Sequence, residues 1–200
     1  MTPEIRLATA ADLPAINAIY NYYVLHSTCT YQLEPSTAQE REAWFGRHGP
    51  RLPVTVAEST KADTRPDRAN GAETTASVPV TGNIVGWASL SPLHERPAFR
   101  FTVEDSVYVH PAWQRRGIGR ALLADLLRRS DELGYRNVIA SISADQEPSI
   151  ALHRQFGFVE AGRLVKVGFK FERWLDVLYM QRARPVEACP SGREHGPFKP

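Results

Sequence analysis

The chain predicts a mixed α/β sheet in one domain rather than a doubly wound parallel fold. Three observations carry this expectation. The order of elements reads strand, two helices, a run of antiparallel strands, helix, strand, helix, two strands. The segment Phe101 to Leu127 passes from a β-branched run through a basic, glycine-containing turn into a helix. A hydrophobic content of 42% in 200 residues supports one full core, and two domains would be cramped.

Ile5 to Leu7 reads as a short strand. Thr9-Ala-Ala-Asp12 then resembles a capping box, opening a helix with Leu13, Ile16, Tyr20 and Tyr23 on one face. Thr37 and Glu40 make a second such start, for a short helix bearing Trp44 and Phe45. Leu52 to Glu58 is the next strand, and Ile84 to Leu90 is its antiparallel partner. Between them Ser59 to Asn83 is polar and rich in Pro, Gly and Thr, and is expected to be a long mobile loop. Thr102 to Val109 is a strand. Ile118 to Leu133 is a helix with Leu122, Leu126 and Leu133 on its buried side, stopped by Gly134. Val138 to Ser143 is a buried strand. Pro148 suits the first turn of a helix that runs to Phe156 and stops at Gly157. Arg163 to Phe169 and Trp174 to Met180 complete the domain, which is placed at residues 1–183. From Arg184 to Pro200 a disordered tail is expected.

Composition narrows the function classes. Lys and Arg number 24 against 22 Asp and Glu, and the basic residues are scattered, so nucleic-acid binding gains no support. No run of about 18 apolar residues occurs, and the N-terminus lacks a basic start followed by an apolar stretch, so a soluble, cytoplasmic protein without membrane partners is expected. Cys29 and Cys189 do not make a disulfide framework. No metal is expected.

A strand leading through a turn into a helix aims backbone N–H groups at one point, where the helix dipole and unpaired donors attract a phosphate or pyrophosphate. A P-loop would need Gly-x-x-x-x-Gly-Lys-Ser/Thr, which is absent. The dinucleotide fingerprint would need a third glycine where Leu122 stands. What remains is Gln114-Arg115-Arg116-Gly117-Ile118-Gly119-Arg120. This string resembles the acetyl-CoA turn of the GNAT superfamily of N-acetyltransferases, whose pattern is Gln/Arg-x-x-Gly-x-Gly/Ala. The order of elements also resembles the GNAT topology from end to end.

The resemblance gives the chemistry-bearing residues their expected roles. On the strand Thr102 to Val109, alternation sets Glu104, Ser106 and Tyr108 on one face and Val103, Asp105, Val107 and Val109 on the other. Acetyl transfer needs a neutral amine, and a mid-strand carboxylate with a raised pKa suits a general base, which makes Glu104 the catalytic candidate. The plainer alternative is that Glu104 pairs with a core Arg. In most of the superfamily, Leu-Tyr-x-x-x-Gly-Phe supplies a Tyr that protonates the departing thiolate. Here the string is Leu152-His153-Arg154-Gln155-Phe156-Gly157-Phe158, so His153 is expected to donate or relay the proton. Gln146 stands where the superfamily often has an Asn contacting the pantetheine arm. Neither Cys lies near these motifs, so direct transfer without an acetyl-cysteine is expected, with a backbone N–H near Val109 stabilising the oxyanion.

Four stretches sharpen the resemblance: Ile19-Tyr20-Asn21, Thr102-Val-Glu-Asp-Ser-Val-Tyr-Val109, Ser149-Ile-Ala-Leu-His153, and Val167-Gly-Phe-Lys-Phe-Glu-Arg-Trp-Leu-Asp176. Together they are similar to the phosphinothricin and methionine sulfoximine N-acetyltransferases, a branch in which Leu-His is normal. The resemblance implies acetyl-CoA as donor and the α-amine of a small, glutamate-like amino acid as acceptor. It implies cofactor contacts from Val107, Tyr108 and Val109 and from Arg115, Arg116, Gly117, Ile118, Gly119 and Arg120. It implies substrate contacts at His94, Glu95 and Arg96 and at Glu104, Asp105 and Ser106, and a homodimer. Two other readings stay open: a GNAT enzyme for a different amine, such as a polyamine, antibiotic or protein N-terminus, and a non-catalytic acetyl-CoA-binding regulator.

Overall fold

The computed structural model describes residues 3–59 and 83–184. The expected loop between Ser59 and Asn83 and the tail beyond Arg184 therefore lie almost wholly outside the described residues. Seven strands form one sheet in the order β1-β2-β3-β4-β5-β7-β6: β1 (Glu4–Leu7), β2 (Val54–Glu58), β3 (Ile84–Pro92), β4 (Thr102–Val109), β5 (Asn137–Ser143), β6 (Val159–Lys170) and β7 (Arg173–Ala183). Every neighbouring pair is antiparallel except β4 and β5. The helices are α1 (Leu13–His26), α2 (Ala38–Gly46), α3 (Ile118–Glu132) and α4 (Glu147–Gln155).

Two apolar clusters pack on the sheet. α3 and α4 contribute Leu122, Leu123, Leu126 and Ile150, which meet Val85, Leu90, Val103 and Val138 of the strands. α1 contributes Leu13, Ile16, Ile19 and Tyr23 to a second cluster with Val56 and Trp87. α3 shows why its sequence folds this way: its leucines are buried, while Arg128 pairs with Asp125 and Glu132 on the outer side. Each buried leucine contributes roughly 1.5–3 kcal/mol, whereas the exposed ion pairs add a few tenths. Gly134, at φ +81°, ends the helix as expected, and Leu133 is only partly buried.

Several boundaries differ from the sequence reading. The capping box at Thr9 closes a 3-10 turn over Ala10–Asp12, and α1 begins only at Leu13. Pro14 has no N–H to return to Ala10, so an α-helical bond cannot form there. β2 begins at Val54, because Leu52 bridges back to Gly49 and Pro53 lacks a ladder donor. β6 and β7 are longer than expected and close through a two-residue turn. Its Phe171 and Glu172 lie at φ +51° and +57°, a conformation that Asn or Gly usually supplies.

Candidate active site

β4 and β5 pair only from Thr102–Asn137 to Glu104–Ile139, and beyond that register the two strands part. In the antiparallel ladder with β3, His110 donates to Val85, so Tyr108, Ser106 and Glu104 share its phase and aim their backbone groups at β3. Val107 and Val109 therefore turn their N–H groups toward the gap. The gap is a cavity of about 830 Å³, walled by Ser106 to Val109 of β4, Ala140 to Ser143 of β5, the 114–120 turn and the start of α4.

The turn is built for an anion. Gly117, at φ +80°, is the N-cap of α3, and no side chain caps the first N–H groups of the helix. Those donors and the dipole point at the cavity, and Arg115 and Arg120 line it. A wall of open strand N–H groups leading to an uncapped, arginine-flanked helix start fits a pantetheine arm with a pyrophosphate, as acetyl-CoA has. Of the residues expected to hold it, Val107, Tyr108, Val109, Arg115, Gly117, Ile118, Gly119, Arg120 and Gln146 all line the cavity. Arg116 does not; its guanidinium lies 4.9 Å from the Trp113 ring centre. Gln146 spends its amide N–H groups on Thr28 at 2.8 Å and Asp145 at 3.2 Å. Among the described residues no group of His, Cys, Asp and Glu is arranged to hold a metal ion.

The two catalytic candidates do not face each other. Asp105 turns to the α3–α4 side, where its Oδ2 lies 3.0 Å from His153 Nε2. Glu104 turns to the α1–α2 side, at the register where β4 and β5 part. Glu104 has no hydrogen bond or ion pair among the described residues, so the core Arg weighed as its partner is not there. Burial, and then the neighbouring charge of Asp105, push the Glu104 carboxyl above the usual carboxylate range. Burial works against a charged His153, but the Asp105 carboxylate and the Ser149 carbonyl outweigh it and raise the imidazole above its ordinary value.

The structure leaves His94, Glu95 and Arg96 exposed on the β3–β4 loop, outside the cavity. His94 stacks on Phe99 and its Nδ1 accepts from the Arg96 N–H at 3.0 Å. Cys29 corrects an expectation: it is remote in sequence but lines the cavity with Asp105 and Ser106. Burial raises its thiol, which keeps it protonated and a poor nucleophile.

Residues 19–158 match the sequence model of the Acetyltransferase (GNAT) family. The chain belongs to that family. It is 35% identical over 187 residues to the L-methionine sulfoximine/L-methionine sulfone acetyltransferase of Salmonella typhimurium, covering 93% of this chain and 97% of that one. It is also 35% identical to the phosphinothricin N-acetyltransferase of Streptomyces viridochromogenes, covering 94% and 91%. The solved GNAT phosphinothricin acetyltransferase of Sinorhizobium meliloti, in complex with acetyl-CoA, superposes with a TM-score of 0.79 at 36% identity, over 96% of this chain and 97% of that one.

Three features of this GNAT site escaped the sequence reading. The Tyr23 hydroxyl donates to the Val109 carbonyl and accepts from Gln114 Nε2, joining α1, the β4 edge and the cofactor turn. A Cβ at Gly86 would come within 2.9 Å of the Tyr108 carbonyl and 3.0 Å of Leu122, so only glycine lets α3 sit this close to β3. Lys170, at the end of β6, donates to the Ser27 and Thr30 carbonyls at 2.7 and 2.8 Å, pinning the segment that carries Cys29. All three depend on contacts between residues far apart in sequence. Only Gly86, an isolated glycine inside a strand pattern, carried a local sign of close approach.

Proposed function

We propose that this GNAT protein transfers acetyl from acetyl-CoA to the α-amine of a small, glutamate-like amino acid such as phosphinothricin, methionine sulfoximine or methionine sulfone. The observation that carries the reading is Glu104: a half-buried carboxylate, unpaired among the described residues and with a raised pKa, set where the open cofactor edge of β4 begins. The relatives' activities supply the acceptor class, and the acetyl-CoA complex of the Sinorhizobium protein supports the donor.

The bound thioester supplies an activated acyl carbon. Glu104 takes the proton that the attacking amine must lose, directly or through water. The Val107 and Val109 N–H groups in the gap are the donors available to an oxyanion. His153 lines the cavity from the α4 side, while Glu104 lies outside that lining, on the other face of β4. The exposed Arg96 guanidinium, without a carboxylate partner among the described residues, is a candidate to meet the acceptor's acid group, and His94, Glu95 and Ser106 are further candidate acceptor contacts. The reading carries a cytoplasmic location, where acetyl-CoA is supplied.

A homodimer belongs to the same proposal. Val165, Val167, Phe171 and Trp174 of the β6–β7 hairpin are 64%, 53%, 50% and 61% exposed, on the edge of the sheet. A second copy laid on this face would cover it symmetrically. Light scattering on wild type and Trp174→Glu tests it: a monomeric wild type sinks the dimer.

The function is tested by CoA release from acetyl-CoA across phosphinothricin, methionine sulfoximine, methionine sulfone and ordinary amino acids, with Glu104→Gln alongside. Turnover on the first three that is lost in the variant is expected. Acetyl-CoA binding without turnover on any acceptor would refute the reading. Varying both substrates should give intersecting lines; parallel lines would restore Cys29 as an acyl carrier.

A further inference from the structure

Asp105 and His153 are deeply enclosed, with side chains 2% and 4% exposed, yet both line the cofactor cavity. The contacts of the imidazole occupy both of its nitrogens. Nδ1 lies 2.7 Å from the Ser149 carbonyl oxygen, which only accepts, so Nδ1 carries a hydrogen. Nε2 lies 3.0 Å from Asp105 Oδ2, a contact that engages the second ring nitrogen. Phe158 stands edge-on to the ring at 4.9 Å, which fixes its plane. Asp105 Oδ1 is buried without a hydrogen-bond partner among the described residues, so His153 is the carboxyl's side-chain contact there. Both ring nitrogens are therefore engaged, and neither is aimed at the cavity as a free proton donor.

We infer that Asp105 is a positioning residue for His153: it holds the imidazole as a doubly protonated, immobile cation in the cavity wall, facing the place where negative charge develops on a departing thiolate. The inference rests on the acetyl-transfer reading and replaces proton donation by His153 with electrostatic stabilisation. Other groups facing this wall do not substitute for it. Burial raises Cys29, Tyr23 and Tyr108, which keeps them neutral. Arg115 and Arg120 belong to the turn at the start of α3, and Glu147 opens α4 with a charge of the wrong sign. Arg154 follows His153 on α4 but does not line the cavity.

The first test is an NMR titration of the His153 imidazole in the ligand-free wild type and in Asp105→Asn, which keeps the shape and a hydrogen-bonding oxygen but not the charge. Wild-type His153 should titrate above an ordinary imidazole, and the variant at or below it. The second test is kcat and KM from about pH 6 to about pH 9. Asp105→Asn should move the alkaline fall in kcat to lower pH and lower kcat by about 10-fold at mildly alkaline pH, with KM for acetyl-CoA little changed. In a His153→Gln background the same substitution should add nothing. Wild-type His153 titrating below an ordinary imidazole would overturn the inference even if Asp105→Asn failed to fold. So would an Asp105→Asn defect that persists undiminished without His153. If the titration behaves as expected but the wild type acetylates no acceptor, the acetyl-transfer reading fails and the catalytic meaning of the pair fails with it; the titration tells that failure apart from a misread protonation state.

Discussion

Glu104 and Asp105 are consecutive residues of β4, yet the pleat sends one carboxylate to the α1–α2 side and the other to the α3–α4 side, and their surroundings differ. Glu104 is half-buried without a partner among the described residues, and desolvation raises it. Asp105 is enclosed against an imidazole that it keeps charged. The first arrangement favours taking up a proton; the second favours holding a charge in place. Two identical functional groups one residue apart thus acquire different work from environment alone.

The sharpest way to break the comparison is Glu104→Gln. Loss of the base should lower kcat by about 10²–10⁴-fold while leaving the melting temperature and the His153 titration unchanged. A variant with near wild-type kcat would deny the two faces their separate roles. Next in size is Gly86→Val, which forces atoms against the Tyr108 carbonyl and Leu122 on the α3 side. It should cost about 1–3 kcal/mol in urea unfolding. A neutral result would mean that α3 has room to retreat. Tyr23→Phe removes the hydroxyl that joins Val109 to Gln114 and should cost about 1 kcal/mol, with KM for acetyl-CoA rising about fivefold. An unchanged KM would detach Tyr23 from the cofactor wall.

The smallest effect is a pH dependence of stability. The folded His153 value lies above its unfolded value near 6.5. The stability it contributes is therefore fully present below that pH and is lost as pH rises through the folded value. Urea melts should show the stability gap between wild type and His153→Gln narrowing at alkaline pH. A widening gap would indicate an imidazole held neutral, and would make the α3–α4 face as uncharged as the other.

Much of this was legible in the chain because it is local. The strand Thr102–Val109 has the expected bounds, its alternation correctly separates Glu104 from Asp105, and Gly117 sits at the positive φ that a glycine at a strand-to-helix turn suggests. The family was legible as well, since its motifs are short strings of fixed spacing. By itself the sequence determined the periodicity of each element, the cofactor turn and the residue types available for catalysis, because dihedral preferences and side-chain alternation act over a few residues. Only the tertiary structure decided that Asp105 meets His153, that Cys29 reaches the cavity and that Tyr23 ties the strand edge to the turn. The Asp105–His153 and Tyr23–Gln114 pairings span 48 and 91 residues and arise from packing helices onto opposite faces of a twisted sheet, which no local pattern encodes.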